Sequence, residues 1–300
     1  MDEFPLGWAP VQAGGGRNSA MADLAVPATL RARPPVVRLR DPEDVLRLLR
    51  QDRFGAAYLL GDVDRSGRLR GDWFLAGDTL ACLQRLYHGA TLWASGTANG
   101  LSAILGQLSP PAELYFSGPA TLVEALRPRF RIEFQEEMIR MAVTAGRFRP
   151  VGTATLLSPA DTDQINRLYR FGAGGQVSRH QVADGVYYGI FEDGRLVSVA
   201  GTHFINPSER IGAVGNVFTH PAYRGRGLAT RVTSAVTMAI LDRCRDIVLN
   251  VSAGNAPAQA AYRKLGFREA TRFVEVLAVR RPSGLFGWIQ RALDSLRAVR

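Results

Sequence analysis

The sequence predicts a mixed α/β (α+β) fold in which two successive halves of the chain each form a mostly antiparallel mixed sheet flanked by helices. Apolar runs with strand and helix periods in the second half indicate the order β-α-(α)-β-β-β-α-β-α-β. Asp193-Gly194 joins two of these strands, and Asp-Gly is a strong β-hairpin signal. The first half shows the parallel order α-β-β-β-α-β-α-β, so we infer two similar domains.

The second half begins with a short predicted strand at residues 153–157. Ser158 is placed as the N-cap of the first helix, and Pro159 occupies its first position. A glycine-bearing loop at 171–181 has room for a second helix and a substrate lid. The other predicted strands are 186–191, 196–204, 211–219, 247–251 and 273–279, and the other predicted helices begin at residue 228 and span 255–265.

The first half starts with a helix opened by Asp41-Pro42. Its predicted strands are 56–60, 73–75, 80–87, 90–94, 113–116 and 130–141, and its further predicted helices are 101–108 and 120–126. Residues 113–126 correspond in this order to residues 247–265, which favours a degenerate copy of the same fold.

The length of 300 residues favours more than one domain. We expect a disordered segment over residues 1–33, a first domain over 34–145, a second over 146–281 and an amphipathic helix over 282–300. The first segment is rich in Gly, Pro and Ala without periodicity. The last has apolar residues on one stripe and arginines opposite. Packing on the body or a dimer contact is favoured there over a membrane surface.

Composition favours a soluble protein, because 46% of the residues are hydrophobic and 21% are charged. Without a secretory signal in the sequence, we expect a cytoplasmic location. No run approaches the roughly 20 apolar residues that span a bilayer. Cys82 and Cys244 lie in apolar patterns, which predicts buried thiols rather than a disulfide or a metal pair. The net charge of +10 comes almost wholly from scattered arginines, without the interleaved aromatics of single-strand binders, so nucleic-acid binding is disfavoured.

A basic, glycine-rich turn in residues 216–230 predicts an anion site. A strand ends at Pro221, Arg224-Gly225-Arg226-Gly227 follows, and a helical pattern begins at Leu228. Glycines let backbone N–H groups turn inward, and a helix N-terminus with two arginines attracts phosphate. A Walker loop is excluded because Lys264 is the only lysine, and a dinucleotide loop because Thr230 stands where a third glycine is needed.

Two spaced motifs resemble those of one known superfamily. Arg224-x-x-Gly227-x-Ala229 resembles the acyl-CoA pyrophosphate loop of the GCN5-related N-acetyltransferase (GNAT) superfamily, whose pattern is Gln/Arg-x-x-Gly-x-Gly/Ala. The second motif, about 30 residues later, is Asn255-x-x-Ala258-x-x-x-Tyr262-x-x-x-Gly266-Phe267, on a helix and its αL cap. The resemblance implies two tandem acetyltransferase-like domains, of which the first is degenerate: it has Gly96-Thr97-Ala98-Asn99-Gly100 in place of the loop and lacks the second motif.

The resemblance also implies the chemistry, which is transfer of an acyl group, usually acetyl, from acyl-CoA to an amine, with no metal. It places pantetheine and the thioester carbonyl on the main chain of Val217, Phe218 and Thr219. Asn255 is expected beside the pantetheine arm, and Tyr262 as the proton donor to the leaving sulfur, because a phenol is protonated at neutral pH. The pyrophosphate is expected on the backbone amides of Arg224, Gly225, Arg226, Gly227, Leu228 and Ala229.

Several roles stay open. Tyr262 is alternatively only a packing residue that touches the cofactor. The general base is unassigned, because Asn216 stands where some relatives carry a glutamate on the loop strand, and Asn cannot act as a base. The other side chains weighed are His203 and His220, both interpreted as structural or solvated, and Glu192 and Glu209, both in hairpin turns.

Three functions follow as hypotheses. The first is an N-acetyltransferase acting on a small-molecule, amino-acid or peptide amine, as a monomer or homodimer. The second is a non-catalytic acyl-CoA-responsive module, and the third is a nucleic-acid binder.

Overall fold

The structure is a computed structural model that describes residues 33–63, 70–86, 89–109, 111–172 and 175–282. The predicted N-terminal segment, apart from residue 33, lies outside the described residues. So does the predicted C-terminal helix, apart from residue 282.

The first half contains six strands and four helices within the described residues. The strands are β1 (Val36–Leu39), β2 (Asp72–Ala76), β3 (Thr79–Leu86), β4 (Gly89–Ser95), β5 (Glu113–Gly118) and β6 (Phe130–Thr144). The helices are α1 (Pro42–Gln51), α2 (Ala57–Gly61), α3 (Ala98–Gln107) and α4 (Val123–Leu126), and a 3-10 turn, Ala120–Leu122, leads into α4.

The second half has the same numbers of strands and helices in its described part. The strands are β7 (Thr155–Leu156), β8 (Tyr188–Glu192), β9 (Arg195–Asn206), β10 (Ile211–Thr219), β11 (Asp246–Ser252) and β12 (Arg268–Arg280). The helices are α5 (Thr162–Tyr169), α6 (Arg179–Asp184), α7 (Leu228–Leu241) and α8 (Ala256–Lys264). Ser158 caps the entry to α5 through a capping box with Asp161, as its position predicts.

All twelve described strands form one continuous sheet. Its order is β1-β2-β3-β4-β5-β12-β6-β11-β10-β9-β8-β7. The parallel pairs among these strands are β4 with β5 and β10 with β11, and the others are antiparallel. The prediction of a mostly antiparallel mixed sheet flanked by helices is therefore confirmed.

The two halves exchange their last strands. β12, from the end of the second half, lies between β5 and β6, and β6, from the end of the first half, lies beside β11. The sheet order is consequently symmetric about the β12–β6 pair, where Glu275 stands opposite Glu136. Neither half completes its sheet with its own strands.

One predicted strand is wrong. Residues 56–60 were expected to form a strand, whereas Ala57–Gly61 is the helix α2, and Leu60 N donates to Ala56 O at 2.9 Å. A five-residue apolar run has no periodicity that separates a strand from a buried helix. Here tertiary packing decides, because α2 sits between α1 and the sheet with Ala57 and Leu60 fully buried. The short strand β1 was not predicted.

The helices α1 and α2 cover the second half as well as their own. Their apolar side chains share a core with Ile211, Ala213 and Val248 of β10 and β11. We call this side of the sheet the α2 face. The opposite side, the α7 face, is covered by α7 and α8. Asn206 donates to Leu60 O at 2.9 Å, which also holds the end of α2 to β9.

Candidate active site

The candidate site begins at a gap in the sheet between β10 and β11. The parallel pairing runs only from Ile211 to Ala213 of β10, opposite Asp246 to Val248 of β11. Beyond it, β10 continues for six residues alongside β9, and β11 continues alongside β6. The facing edges of the two strands therefore separate and leave backbone groups unpaired, as a ligand-binding cleft requires.

A bulge in β10 opens this gap. The pairing of β10 with β9 shifts register between Gly215 and Phe218, and Asn216 has φ +54°. The Asn216 side-chain amide donates to Tyr187 Oη at 2.9 Å, and the main-chain carbonyl of Asn216 accepts from Tyr169 Oη at 2.8 Å. Asn tolerates this left-handed conformation better than most residues. Asn216 therefore has a structural role, which is to shape the strand, at the position where some relatives carry a glutamate.

The glycine-rich turn lies at the same end of β10. Gly225 and Gly227 have φ +78° and +74°, and a Cβ at either would meet nothing within 4 Å. Gly227 is the N-cap of α7, so no side chain occupies the first N–H groups of this helix. The turn is exposed, with its donors open to an anion.

The two arginines of this turn are held only loosely. Arg224 Nε donates to Thr219 O at 3.3 Å, and its guanidinium lies 5.8 Å from the Phe218 ring. Arg226 pairs with Glu192 at 3.5 Å. Both side chains are exposed, so they can turn towards a phosphate at small cost.

The second motif lies on the α7 face. Asn255, expected beside the pantetheine arm, is the N-cap of α8 and accepts from Ala258 N at 3.2 Å. Tyr262, a residue of α8, is 6% exposed and packs in the core of the α7 face. Its ring lies 6.2 Å from that of Phe267. Burial raises the pKa of Tyr262 to about 12, so its hydroxyl keeps its proton at neutral pH.

Tyr58 of α2 packs on the α2 face, and Tyr262 packs on the α7 face. Burial raises the pKa of Tyr58, so its hydroxyl also keeps its proton at neutral pH.

The two histidines and two hairpin carboxylates considered from the sequence supply no strong base. Burial lowers the pKa of His203 to about 4, and its ring packs against Gly215 and 5.6 Å from the Tyr58 ring. His220 Nδ1 accepts from Ala222 N at 3.2 Å, which makes it a turn residue. Glu209 is at the opposite end of β10 from the bulge, paired with Arg50 at 2.7 Å. Glu192 is engaged by Arg226 as described above.

Two residues on the α2 face escaped the sequence motifs. Arg140 of β6 is 4% exposed, and Glu275 of β12 has its pKa raised to about 7 by burial and then by Glu136. Neither belongs to a spaced motif. A signal for Arg140 existed, since it interrupts the apolar run at residues 138–143.

In the described residues of the first half, there is no equivalent gap or open turn. β4 pairs with β5 from Ala90 to Trp93, leaving only two residues of β4 beyond the pairing. The N-terminus of α3 is occupied, because Thr97 Oγ1 accepts from Gly100 N at 3.3 Å. Thr97 N in turn donates to Thr79 Oγ1 at 2.8 Å, which packs the turn against β3.

Within the described ranges, no group of three or more His, Cys, Asp or Glu side chains is placed to hold a metal ion. The part of the chain that the structure covers also contains no helix of the length and apolar character needed to cross a membrane.

Comparison with known proteins identifies the family. Residues 149–267 match the acetyltransferase (GNAT) family model, so this part of the chain belongs to the GNAT acetyltransferase family. A mycothiol acetyltransferase of Tsukamurella paurometabola is 40% identical over 83 residues. The match covers 27% of this chain and 28% of that protein, well under two thirds of the relative's length.

Solved structures share the fold over a longer stretch. A GNAT-family protein of Novosphingobium aromaticivorans is 23% identical with a TM-score of 0.51, covering 81% of this chain and 100% of its own. A Drosophila protein is 13% identical with a TM-score of 0.61, covering 81% and 98%. Each overlap is longer than residues 149–267, so the likeness in fold includes part of the first half.

Proposed function

We propose that the protein is an acyl-CoA-dependent N-acyltransferase that transfers acetyl from acetyl-CoA to a primary amine of a small molecule, amino acid or peptide. The observation that carries this proposal is the coincidence of the β10–β11 gap with the uncapped N-terminus of α7. The N-terminus of α7 suits a diphosphate, and the gap suits a linear chain. Both lie at the same end of β10.

In this proposal the pyrophosphate of acetyl-CoA lies on the amides of Arg224, Gly225, Arg226, Gly227, Leu228 and Ala229. The pantetheine arm runs through the gap along Val217, Phe218 and Thr219 and near Asn255. Free N–H groups of the bulged strand hold the thioester oxygen as it becomes negative.

The amine nitrogen attacks the thioester carbon as a neutral amine. The C–N bond forms, the C–S bond breaks, and the nitrogen loses one proton to solvent while the sulfur leaves as a thiolate. Tyr262 then donates its proton to that sulfur and regains one from solvent. Burial raises the pKa of Tyr262 and so keeps the phenol protonated until the thiolate forms.

We also propose that residues 34–145 are a degenerate copy of residues 146–281. The symmetric sheet order supports the duplication. The closed β4–β5 pair and the capped α3 support the loss of a CoA site in the first copy.

Thermal unfolding with and without acetyl-CoA tests the cofactor site. We expect saturating acetyl-CoA at 100 Kd to stabilise the protein by about 2.7 kcal/mol. Gly227→Glu should abolish this rise by placing a negative charge on the phosphate path. Gly77→Glu is the matched control, because Gly77 also has positive φ (+61°) and lies in the β2–β3 turn. An unchanged melting curve for the wild type would contradict the proposal.

Release of CoA thiol over an amine panel tests the reaction. At least one primary amine should release CoA, and Tyr262→Phe should lower kcat by about 100-fold. The variant should keep its stabilisation by acetyl-CoA, which separates a proton donor from a packing residue. Equal kcat in the wild type and Tyr262→Phe would exclude the acid role of Tyr262.

A further inference from the structure

Arg140 is a buried cation at the joint between the two halves. It lies on β6, and its Nε donates to Asn250 Oδ1 on β11 at 2.9 Å. Its Nη1 donates to the carbonyls of Phe54 and Gly55 at 2.9 and 2.7 Å. The guanidinium carbon lies 4.9 Å from the centre of the Tyr58 ring and 4.7 Å from that of Phe273, so aromatic rings flank the cation. Its position is therefore set by packing and hydrogen bonds.

This cation has no partner anion in the part of the chain that the structure describes. Among the described residues, no carboxylate lies within 4.0 Å of Arg140, and its Nη2 makes no hydrogen bond. Glu275 and Asp52 act on it only at longer range. Arg53, by contrast, also joins the halves but pairs with Asp246 at 2.7 Å. A buried charge without a counter-ion is costly, so an anion that arrives with a ligand would relieve the cost.

A second unused donor lies beside it. The Tyr58 hydroxyl is buried and has no hydrogen-bond partner in the described structure. Buried polar groups are nearly always paired, so an orphaned phenol beside an unpaired guanidinium indicates a ligand position. Tyr58 packs on the α2 face, and the Arg140 guanidinium reaches the same face through the Phe54 and Gly55 carbonyls and the Tyr58 ring.

The position also fits an acceptor. Asn250, which Arg140 contacts, lies on β11 just beyond Val248, the last residue paired with β10, and so borders the gap. β6 is the neighbouring strand, about 5 Å away. An acceptor with a short spacer between its amine and its anionic group can therefore place the amine at the gap and the anionic group at Arg140.

We propose that Arg140 Nη2 and the Tyr58 hydroxyl bind the carboxylate of the acceptor, so that the substrate is an amino acid or a similar amine with a nearby carboxylate. Two guanidinium N–H groups and one phenolic O–H match the lone pairs of one carboxylate. A phosphate dianion would need more positive charge than this one cation supplies, with Glu275 nearby. This inference rests on the proposed function.

The test compares each amino acid with its neutral amide as acceptor, for example glycine with glycinamide and β-alanine with β-alaninamide. The wild type should prefer the free carboxylate by at least about tenfold in kcat/KM. Arg140→Met should lower that preference by about 10-fold to 100-fold, mainly through KM, because a hydrogen bond to a charged group is lost. Arg50→Met, an arginine of α1 paired with Glu209, should leave the preference unchanged.

Tyr58→Phe provides a mild second variant. It removes only the unpartnered hydroxyl, so the fold should persist even if Arg140→Met does not fold. We expect it to lower the preference by about threefold to tenfold. A preference that is absent in the wild type, or unchanged in folded Tyr58→Phe and Arg140→Met, would overturn the inference.

A binding measurement separates this inference from the proposed reaction. With CoA present, N-acetylglycine should raise the melting temperature more than N-acetylglycinamide, and Tyr58→Phe should remove the difference. If amines are acetylated without a carboxylate preference, the inference fails and the proposed function stands. If no amine is acetylated but the carboxylate stabilises the protein, the reaction fails and the binding site stands. If neither occurs, both are overturned.

Discussion

Replacing Glu275 by Gln should change how the stability of the protein depends on pH. Glu275 lies opposite Glu136 at the centre of the sheet, and burial and this neighbour raise its pKa from 4.5 to about 7. The folded protein therefore holds the proton more tightly than the unfolded chain. The contribution of Glu275 to the free energy of unfolding is fully present below pH 4.5 and is lost as pH rises to about 7. Above that pH the loss stays constant.

The size of the effect follows from that difference in pKa. It corresponds to about 3 kcal/mol for a fully desolvated group. Glu275 is only half-buried, so water screens part of the charge and we expect about 1 to 2 kcal/mol. Glu275→Gln should then be more stable than the wild type by this amount at pH 8, and nearly equal to it at pH 5.

Urea unfolding at pH 5 and pH 8 measures this difference. Glu113→Gln, at an exposed position, is the control and should lose as much stability between pH 5 and pH 8 as the wild type does. Glu136→Gln should weaken the dependence partly, because it removes the second cause of the raised pKa. If the free energy of unfolding falls equally in Glu275→Gln and in the wild type between pH 5 and pH 8, then burial does not raise the pKa of Glu275.

Three further substitutions test how the site is built, each by urea unfolding. Gly225→Ala should cost about 1 kcal/mol, because Ala is strained at φ +78°, and a neutral effect would show that the turn relaxes. Asn216→Ala should cost about 1 to 2 kcal/mol, since it removes the hydrogen bond to Tyr187 and places Ala at positive φ; an unaltered protein would mean that other contacts hold the bulge. Arg53→Met should cost about 3 kcal/mol by leaving the buried Asp246 carboxylate with only the exposed Arg245 as a cation, and a loss under 1 kcal/mol would mean that Arg245 suffices.

Local chemistry in the sequence was sufficient for most of the second half. Strand and helix periods, the Asp193-Gly194 hairpin and the Ser158 cap are short-range features, and the structure confirms them within a few residues. The basic turn before α7 is equally local, because positive φ at Gly225 and Gly227 depends on glycine itself.

The first half was harder to predict for a physical reason. α2 is a five-residue apolar segment, and its state depends on the surface that covers it. Strand β1, only four residues long, is likewise stabilised by its pairing with β2 more than by its own pattern.

The sequence by itself determined most of the elements, the fold class and the motifs of the anion turn. Only the tertiary structure decided which strand pairs with which, because hydrogen-bond partners in a sheet are non-local. The exchange of β6 and β12 and the packing of α2 over β10 bring Arg140 and Tyr58 of the first half to the gap in the second. No spacing along the chain encodes that meeting, since Tyr58, Arg140 and Asn250 come from three distant segments.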